Sequence, residues 1–579
     1  MTIELGPRTL ALDGTSLPEK SLIGGKAWSI ARMLALGLPV PPAFVITTKA
    51  CAEYLATNAM PVGLEDELAA GIHWLEQTSG RTLGGTAAPL LLSVRSGAMI
   101  SMPGMMDTVL NLGLNDATAA ALAHETNDVP FAADTHRRFL DLYARIVLRA
   151  TLPELAADAP INDWLSAIKE ATGCAVPSSP REQLRGAVMA VFESWNSRRA
   201  RRYREHHQIP HALGTAVTVQ VMVFGNLDAQ SGTGVLFSRN PLTGEATPYG
   251  EYLARAQGED VVSGRFTPLP LSALAEAMPE IHRDLLAAAV TLEQENGDVQ
   301  DIEFTVQQGR LYLLQSRSAK RAPVAAVRFA VEMVREGRID QATALARVSA
   351  EQVRILLSPR LAVGATDNVE ILAQGEAACQ GIGVGVLVTN TDEAERRAQA
   401  GEAVILARDT TSPDDVHGML VARAVITEQG GATSHAAVVS RALGVPCVVG
   451  CGSGKLSQLS GRIVTVDGGT GRVYAGALPV IAPDENTEPG LRELVGWAEL
   501  CTPLRVVDEQ DPLTATARNL DRAKGGEDPA QLATLAAGAE VLRGAVLNSD
   551  AGVQAAVAAG VKTIVVKQRL PALLAAITK

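Results

Sequence analysis

The stretch Thr427-Glu428-Gln429-Gly430-Gly431-Ala432-Thr433-Ser434-His435-Ala436-Ala437-Val438-Val439 sets one histidine after a Gly-Gly turn and a Thr-Ser pair, at the head of an apolar, helix-like run. Imidazole has an ordinary pKa of ~6.5, so much of it is neutral and nucleophilic near pH 7. A phosphoryl group on such a ring would lie close to the free N–H groups of a helix start, where negative charge is stabilised. Thr433 or Ser434 can cap that helix or donate to the phosphate. His435 is therefore the candidate nucleophile, with Thr433 beside it. A structural histidine on an N-cap turn is the competing reading. A phosphate donor site elsewhere in the chain would decide between them.

Four segments have the residue types for such a site. Ile23-Gly24-Gly25-Lys26 offers glycines that let backbone N–H groups approach a phosphate, and a lysine charge. Taken alone, a turn with a solvated lysine reads better. In Leu90-Leu91-Leu92-Ser93-Val94-Arg95-Ser96-Gly97, an apolar strand ends on an arginine whose forked donors suit phosphate, or an acidic neighbour. The region from Ala216 supplies a strand, a small-residue loop Ser231-Gly232-Thr233-Gly234, and the acidic and amide groups Glu251, Gln257, Glu259 and Asp260. Glu251 is a nucleotide-binding candidate there, although solvated loop carboxylates fit the same pattern. Last, Asp301 to Val306 and Leu311 to Arg317 read as two strands of a hairpin joined at Gln307-Gln308-Gly309. Asp301 and Glu303 then share one face of the first strand, and Gln315 and Arg317 one face of the second. Carboxylates facing an arginine suit Mg²⁺–phosphate chemistry, and a cross-strand salt bridge equally well.

The elements around these residues form an α/β chain of several domains. At 579 residues it exceeds a single core and suggests roughly three or four domains. No run approaches ~18 uninterrupted apolar residues, so no membrane span is expected. The N-terminus does not read as a secretory signal. Six scattered cysteines make no disulfide framework, which points to a reducing cytoplasm, and Cys447 and Cys451 read as buried thiols. A net charge of −12 argues against non-specific nucleic-acid binding. Residues 60 to 210 are mostly helical in pattern. Val324 to Leu357 has helical periodicity broken at Gly337 and restarted by Arg338-Ile339-Asp340. From 370 to 476 strands alternate with short helices, and Gly381-Ile382-Gly383-Val384-Gly385 reads as tight β-structure. Ser412-Pro413 is a helix-start signal, and Gly444 closes a helix from Ala436 to Leu443.

In combination these motifs resemble pyruvate phosphate dikinase. Gly-Gly-Lys, Ser-Val-Arg-Ser-Gly-Ala-(x2)-Ser-Met-Pro-Gly-Met-Met-Asp-Thr, Ser-Gly-Thr-Gly-Val-(x)-Phe-(x)-Arg-Asn-Pro and Gln-Asp-Ile-Glu-Phe-Thr occur in that family's order across residues 20 to 320. Gly-Gly-(x)-Thr-Ser-His-Ala-Ala-Val-Val-(x)-Arg resembles the phosphohistidine domain shared with phosphoenolpyruvate synthase and the sugar-phosphotransferase Enzyme I. The resemblance implies an ATP-grasp nucleotide-binding domain with a helical insertion (1–320), a helical linker (321–369) and a swivelling α/β phosphohistidine domain (370–476). By motif, Lys26 and Arg95 would bind ATP phosphates. Glu303 and Gln315 would hold Mg²⁺–nucleotide, with Asp301 as a further metal-site member, and Arg317 would stabilise phosphate charge. His435 would take a pyrophosphoryl group from ATP with release of AMP, and phosphate or water would take the terminal phosphoryl. Arg408 and Thr411 stand in the loop beside the phosphohistidine, and Gln429 replaces the arginine common there. The departure is C-terminal. Residues 490–579 form a small α/β unit, with strands expected at Ala545-Val546-Leu547 and Thr563-Ile564-Val565-Val566, far short of the family's pyruvate-binding (β/α)8 barrel of ~200 residues. The expected function is thus an ATP-dependent dikinase-type phosphotransferase. Its acceptor is pyruvate if a separate acceptor-binding protein supplies the site, with a homodimer left open. The alternatives are a different small acceptor or a non-catalytic nucleotide-binding relic.

Overall fold

The computed structural model describes residues 3–577 except 101, 103, 104, 157, 263–265, 358, 359, 363 and 482. Ser101, Pro103 and Gly104 of the methionine-rich motif thus lie outside the described residues. The chain is a mixed α/β assembly of several sheets.

The first sheet has six strands in the order Glu4–Gly6, Thr9–Leu12, Ala43–Ile46, Ala216–Val221, Leu92–Gly97, Thr108–Leu112, with every neighbouring pair antiparallel. Its central strands are buried on both faces, and alternate side chains divide between two cores. Phe44 and Ile46 pack with the helices Leu64–Ser79, Val129–Ile146 and Pro180–Ser194, whereas Ala43 and Val45 meet the helix Lys20–Ala35. That helix is shared with a second, antiparallel sheet, ordered Arg310–Ser318, Gln300–Gln307, Gly232–Phe237, Tyr249–Ala254, Leu269–Pro270. The long helix Pro279–Asn296 covers the same core.

Two local expectations are corrected here. The small-residue stretch Gly232-Thr233-Gly234 is strand rather than loop, because glycine lets a neighbouring chain pass where a side chain would clash: a Cβ on Gly234 would fall 2.3 Å from the Glu251 carbonyl oxygen. Glu251 itself lies within a strand, and Gly258–Val262 forms a short helix.

Three helices follow, Pro323–Arg335, Gln341–Arg347 and Ala350–Leu356, with Asp340 and Ser349 as side-chain N-caps. They pack against the C-terminal unit rather than standing alone. Leu491, Leu494, Val495 and Ala498 of the helix Pro489–Cys501 recur at i, i+3, i+4 and i+7, giving the apolar stripe for that contact. An eight-stranded sheet spans 371–475, with four parallel strands (Ile382–Val388, Val404–Arg408, Ala424–Thr427, Cys447–Val449) at its centre and side. Cys447 and Cys451 are buried free thiols. The C-terminal unit is a four-stranded parallel sheet ordered Arg505–Val507, Thr563–Val565, Val541–Arg543, Arg518–Asn519. The strand expected at Ala545-Val546-Leu547 is instead a 3-10 turn (Ala545–Asn548), and the strand runs at Val541–Arg543 just before it. Arg505–Val507 and Arg518–Asn519 are strands without a sequence expectation.

Candidate active site

The hairpin from Gln300 to Ser318 turns through Gln308 and Gly309, both left-handed at φ 51° and 69°, as a two-residue hairpin loop requires. Its register sets Asp301 opposite Arg317 and Glu303 opposite Gln315. Across the sheet, Glu303 pairs with Val235 and Val235 with Glu251, while Asp301 pairs with Phe237 and Phe237 with Tyr249. Cross-strand partners project to one side. One face therefore carries two ranks, Gln315–Glu303–Val235–Glu251 and Arg317–Asp301–Phe237–Tyr249.

Arg95 reaches this face from the first sheet. Its Nη2 donates to Glu303 Oε2 at 3.0 Å and to Gln315 Oε1 at 3.4 Å. Arg317 Nε donates to Asp301 Oδ2 at 2.8 Å. The helix Lys20–Ala35 brings in Lys26 by a route the sequence reading missed. The Gly-Gly pair lies inside that helix, which kinks at Gly24 (φ 73°). A Cβ on Gly24 would lie 1.7 Å from the carbonyl oxygen of Gly97, and Gly25 N–H donates to Ala98 O at 2.9 Å. The glycines thus seat the helix against the end of the Arg95 strand. In this structure the Gly25 amide is engaged by protein rather than left free for a phosphate. Ser29 Oγ accepts from Ser316 N–H at 2.8 Å, which ties the same helix to the hairpin.

The electrostatics follow from crowding. Burial, and then the Arg95 and Arg317 charges, bring the Lys26 ammonium down to about 7 against the pull of Glu303. Burial would raise Glu303, but Arg95, Arg317 and Lys26 together hold its carboxyl below the ordinary value. Asp301, with Glu303, raises the Arg317 guanidinium despite its burial. Three cationic groups thus face two carboxylates, an imbalance that favours a polyanion. Asp301 Oδ1 is buried without a partner, and Glu303 stands two residues along the same strand face, opposite Gln315. That donor set fits a hard divalent cation. Among the described residues no cluster of three carboxylate, thiol or imidazole ligands could hold a metal. A cation here would complete its shell with ligand oxygens, as Mg²⁺ commonly does on phosphates.

His435 opens the helix His435–Leu443, with Ser434 as N-cap and Gly444 as left-handed stop. Ser434, not Thr433, supplies the cap. The imidazole Nε2 is buried and unpartnered. Burial lowers the ring's pKa, against the Asp415 carboxylate and a hydrogen bond with the Ser412 backbone. With Nε2 free, that hydrogen bond falls to Nδ1–H, and the Nε2 lone pair is left available. Thr411 Oγ1 is likewise buried and unpartnered, and Arg408 Nε lies 3.1 Å from Asp415 Oδ1.

The loop before His435 rests on the ranked face of the second sheet. Thr433 Oγ1 donates to Glu251 Oε2. Ala432 N–H donates to Glu376 Oε2 at 3.0 Å, and Tyr249 O–H to Glu376 Oε1 at 2.8 Å. A Cβ on Gly431 would stand 2.7 Å from Glu251 Oε1. The Arg441 guanidinium lies 6.0 Å over the Phe237 ring. Burial, with Glu376 nearby, pushes Glu251 up to about 7 against its bonds to Thr433 and Ala432. Lys26, Arg95, Glu303, Gln315, Asp301 and Arg317 are therefore brought together. Glu251 and Thr433 instead pair with each other two strands away, roughly 10 Å by strand spacing. Tyr249 and Glu376 were missed, and Arg441 was read only as the closing arginine of the histidine motif. Tyr249 carried a signal, since it stands two residues from Glu251 on one strand and so shares its face.

The family profile described as "Pyruvate phosphate dikinase, AMP/ATP-binding domain" matches residues 20–78 and 57–284, and "PEP-utilising enzyme, mobile domain" matches 400–471. The chain is 43% identical over 536 residues to pyruvate, phosphate dikinase 2 of Oryza sativa subsp. japonica (86% of this chain, 60% of the relative). It is 41% identical over 558 residues to pyruvate, phosphate dikinase of Rhizobium meliloti (88% and 62%). It is 39% identical over 528 residues to that of Clostridium symbiosum (85% and 60%). The chain belongs to the pyruvate phosphate dikinase family of PEP-utilising enzymes. It spans about three-fifths of the length of these relatives. The dikinase nucleotide-binding profile contains Lys26, Arg95 and Glu251 but stops at 284, before Asp301, Glu303, Gln315 and Arg317. Those four join the site through their contacts with Arg95 and with one another. The mobile-domain profile contains His435, Thr433, Arg408 and Thr411. No helix among the described residues is long and apolar enough to cross a membrane.

Proposed function

We propose that this chain is a dikinase-type phosphotransferase that loads His435 from ATP. In this reading residues 1–320 act as an ATP-grasp nucleotide-binding domain, 321–369 as the linker, 370–476 as the swivelling carrier and 490–579 as an accessory α/β unit. Lys26, Arg95 and Arg317 hold the phosphates. Glu303, Gln315 and the free oxygen of Asp301 would hold Mg²⁺, which when bound neutralises charge on the phosphate oxygens. The neutral His435 Nε2 forms a bond to the β-phosphorus as the bond from that phosphorus to the bridging α–β oxygen breaks, and AMP leaves with that oxygen. Orthophosphate or water takes the terminal phosphoryl. The remaining phosphoryl passes from Nε2 to an acceptor oxygen, and the names of the relatives point to pyruvate. A reducing cytoplasm suits the six free cysteines.

One observation carries this reading. The Arg95–Glu303 contact and the Thr433–Glu251 contact stand on one face of one sheet, so the nucleophile's loop is seated beside the cationic cluster. The test is incubation with Mg²⁺ and ATP labelled separately at the β and γ positions, with wild type and His435→Ala. Acid-labile β label on wild type alone, with AMP released, supports the assignment. Absence of label, or ADP release that His435→Ala leaves untouched, overturns it.

A further inference from the structure

The helix Arg198–His206 carries five arginines in nine residues, in a chain whose net charge is −12. Two of them are structural. Arg199 pairs with Asp107, and its Nε donates to Met105 O at 3.3 Å. Arg204 is buried, lies 4.1 Å over the Trp195 ring and donates from Nε to His211 Nδ1 at 3.1 Å. The other three, Arg198, Arg201 and Arg202, fall with His206 at i, i+3, i+4 and i+8, which is one helix face, and all four are exposed. Among the described residues no carboxylate pairs with any of these three guanidiniums, and Glu205 is the one acid on that face. The helix is tied to the candidate site by geometry. Arg199 fixes it to Asp107, and the next residue, Thr108, pairs with Arg95 in the first sheet. Lys320, two residues past the strand that carries Arg317, is exposed and lies near enough to Arg317 and to His207, just past this helix, for their charges to act on one another.

We propose that the exposed face of this helix is an electrostatic capture surface for the triphosphate of a nucleotide, steering it towards Arg317 and the Lys26–Arg95 cluster. The inference rests on the nucleotide reading of that cluster. A net-negative protein repels a polyphosphate at long range. Guanidiniums without a carboxylate partner, on a helix tied through Asp107 to the strand beside Arg95, would reverse that field locally and raise the encounter rate. Binding contacts at the cluster are untouched, so the dissociation rate is not involved.

The test is stopped-flow association of a fluorescent N-methylanthraniloyl ATP with Mg²⁺, comparing wild type with Arg198→Gln/Arg201→Gln/Arg202→Gln. At low ionic strength the association rate constant should fall about five-fold with the dissociation rate unchanged. The difference should vanish near about 0.5 M salt, where the screening length is about 4 Å. Glu205→Gln, which removes the opposing charge, should raise the rate at low salt, so the idea stays testable if the triple variant folds poorly. Equal association rates at low salt, or a deficit that persists at high salt, overturn the capture surface and leave the nucleotide site standing. A wild-type protein that does not bind the probe at all overturns both.

Discussion

Gly24→Ala tests whether the Gly-Gly pair serves packing rather than phosphate. Gly24 has φ 73°, so any L side chain there adopts the left-handed region, at a cost of roughly 1–2 kcal/mol. Gly37, at the end of the same helix, has φ 72° and the same intrinsic strain. The two sites differ in their surroundings. A Cβ on Gly37 meets nothing within 4 Å, whereas one on Gly24 would lie 1.7 Å from the Gly97 carbonyl oxygen. Ordinary contact needs about 3.5 Å, so the helix and the Arg95 strand must separate by well over an ångström, adding an overpacking cost of about 1–3 kcal/mol. That movement displaces Lys26, and misplacement by about 1 Å can cost on the order of a hundred-fold in catalysis. Both variants should lower the melting temperature of the first unfolding transition, Gly24→Ala by clearly more. Only Gly24→Ala should weaken Mg·ATP binding, measured by titration, and slow labelling of His435. If the two variants melt alike and bind nucleotide alike, the packing role assigned to Gly24 is wrong.

Other expectations follow from the same geometry. Glu251 is raised from 4.5 to about 7 by burial against the His435 loop. The docked state therefore binds more protons than the undocked one between those values, so docking is strongest below about pH 4.5 and weakens as pH rises through 7. Hydrogen-exchange protection of residues 430–433 should be greater at pH 6 than at pH 8, and Glu251→Gln should flatten that difference. Lys26 sits at about 7 before ligand arrives, and a bound polyphosphate favours its charged form. Nucleotide affinity should therefore fall as pH rises above 7, and Lys26→Arg should remove that slope in titrations from pH 6 to 9. Arg95→Ala leaves Glu303 beside the incoming phosphates without its main counter-charge. Single-turnover labelling of His435 should drop by about a hundred-fold or more, and a drop under three-fold would rule out a direct role for Arg95.

What could be read from the chain alone was local. The two-residue period of a strand puts Asp301 with Glu303 and Gln315 with Arg317, and the hairpin register then sets the pairs opposite each other. The Gly444 stop and the helix restarting at Asp340 are equally local, since capping involves residues within one turn. Three of the four C-terminal strands escaped, Thr563–Val565 being the exception, because segments of two or three residues have too little periodicity to distinguish Val541–Arg543 from the 3-10 turn that follows it. Glu251 was linked to the nucleotide by its residue type, and only the assembled sheet revealed that it meets Thr433. That contact joins residues 182 apart in the chain, and Arg95–Glu303 joins residues 208 apart. Sequence by itself determined the family, the candidate nucleophile's place at a helix start and the facing of each short hairpin strand, because those depend on neighbours along the chain. The tertiary structure decided which faces meet. Gly24 closing on Gly97 and Glu251 receiving Thr433 arise from packing between distant segments, and nothing in a local pattern encodes that distance.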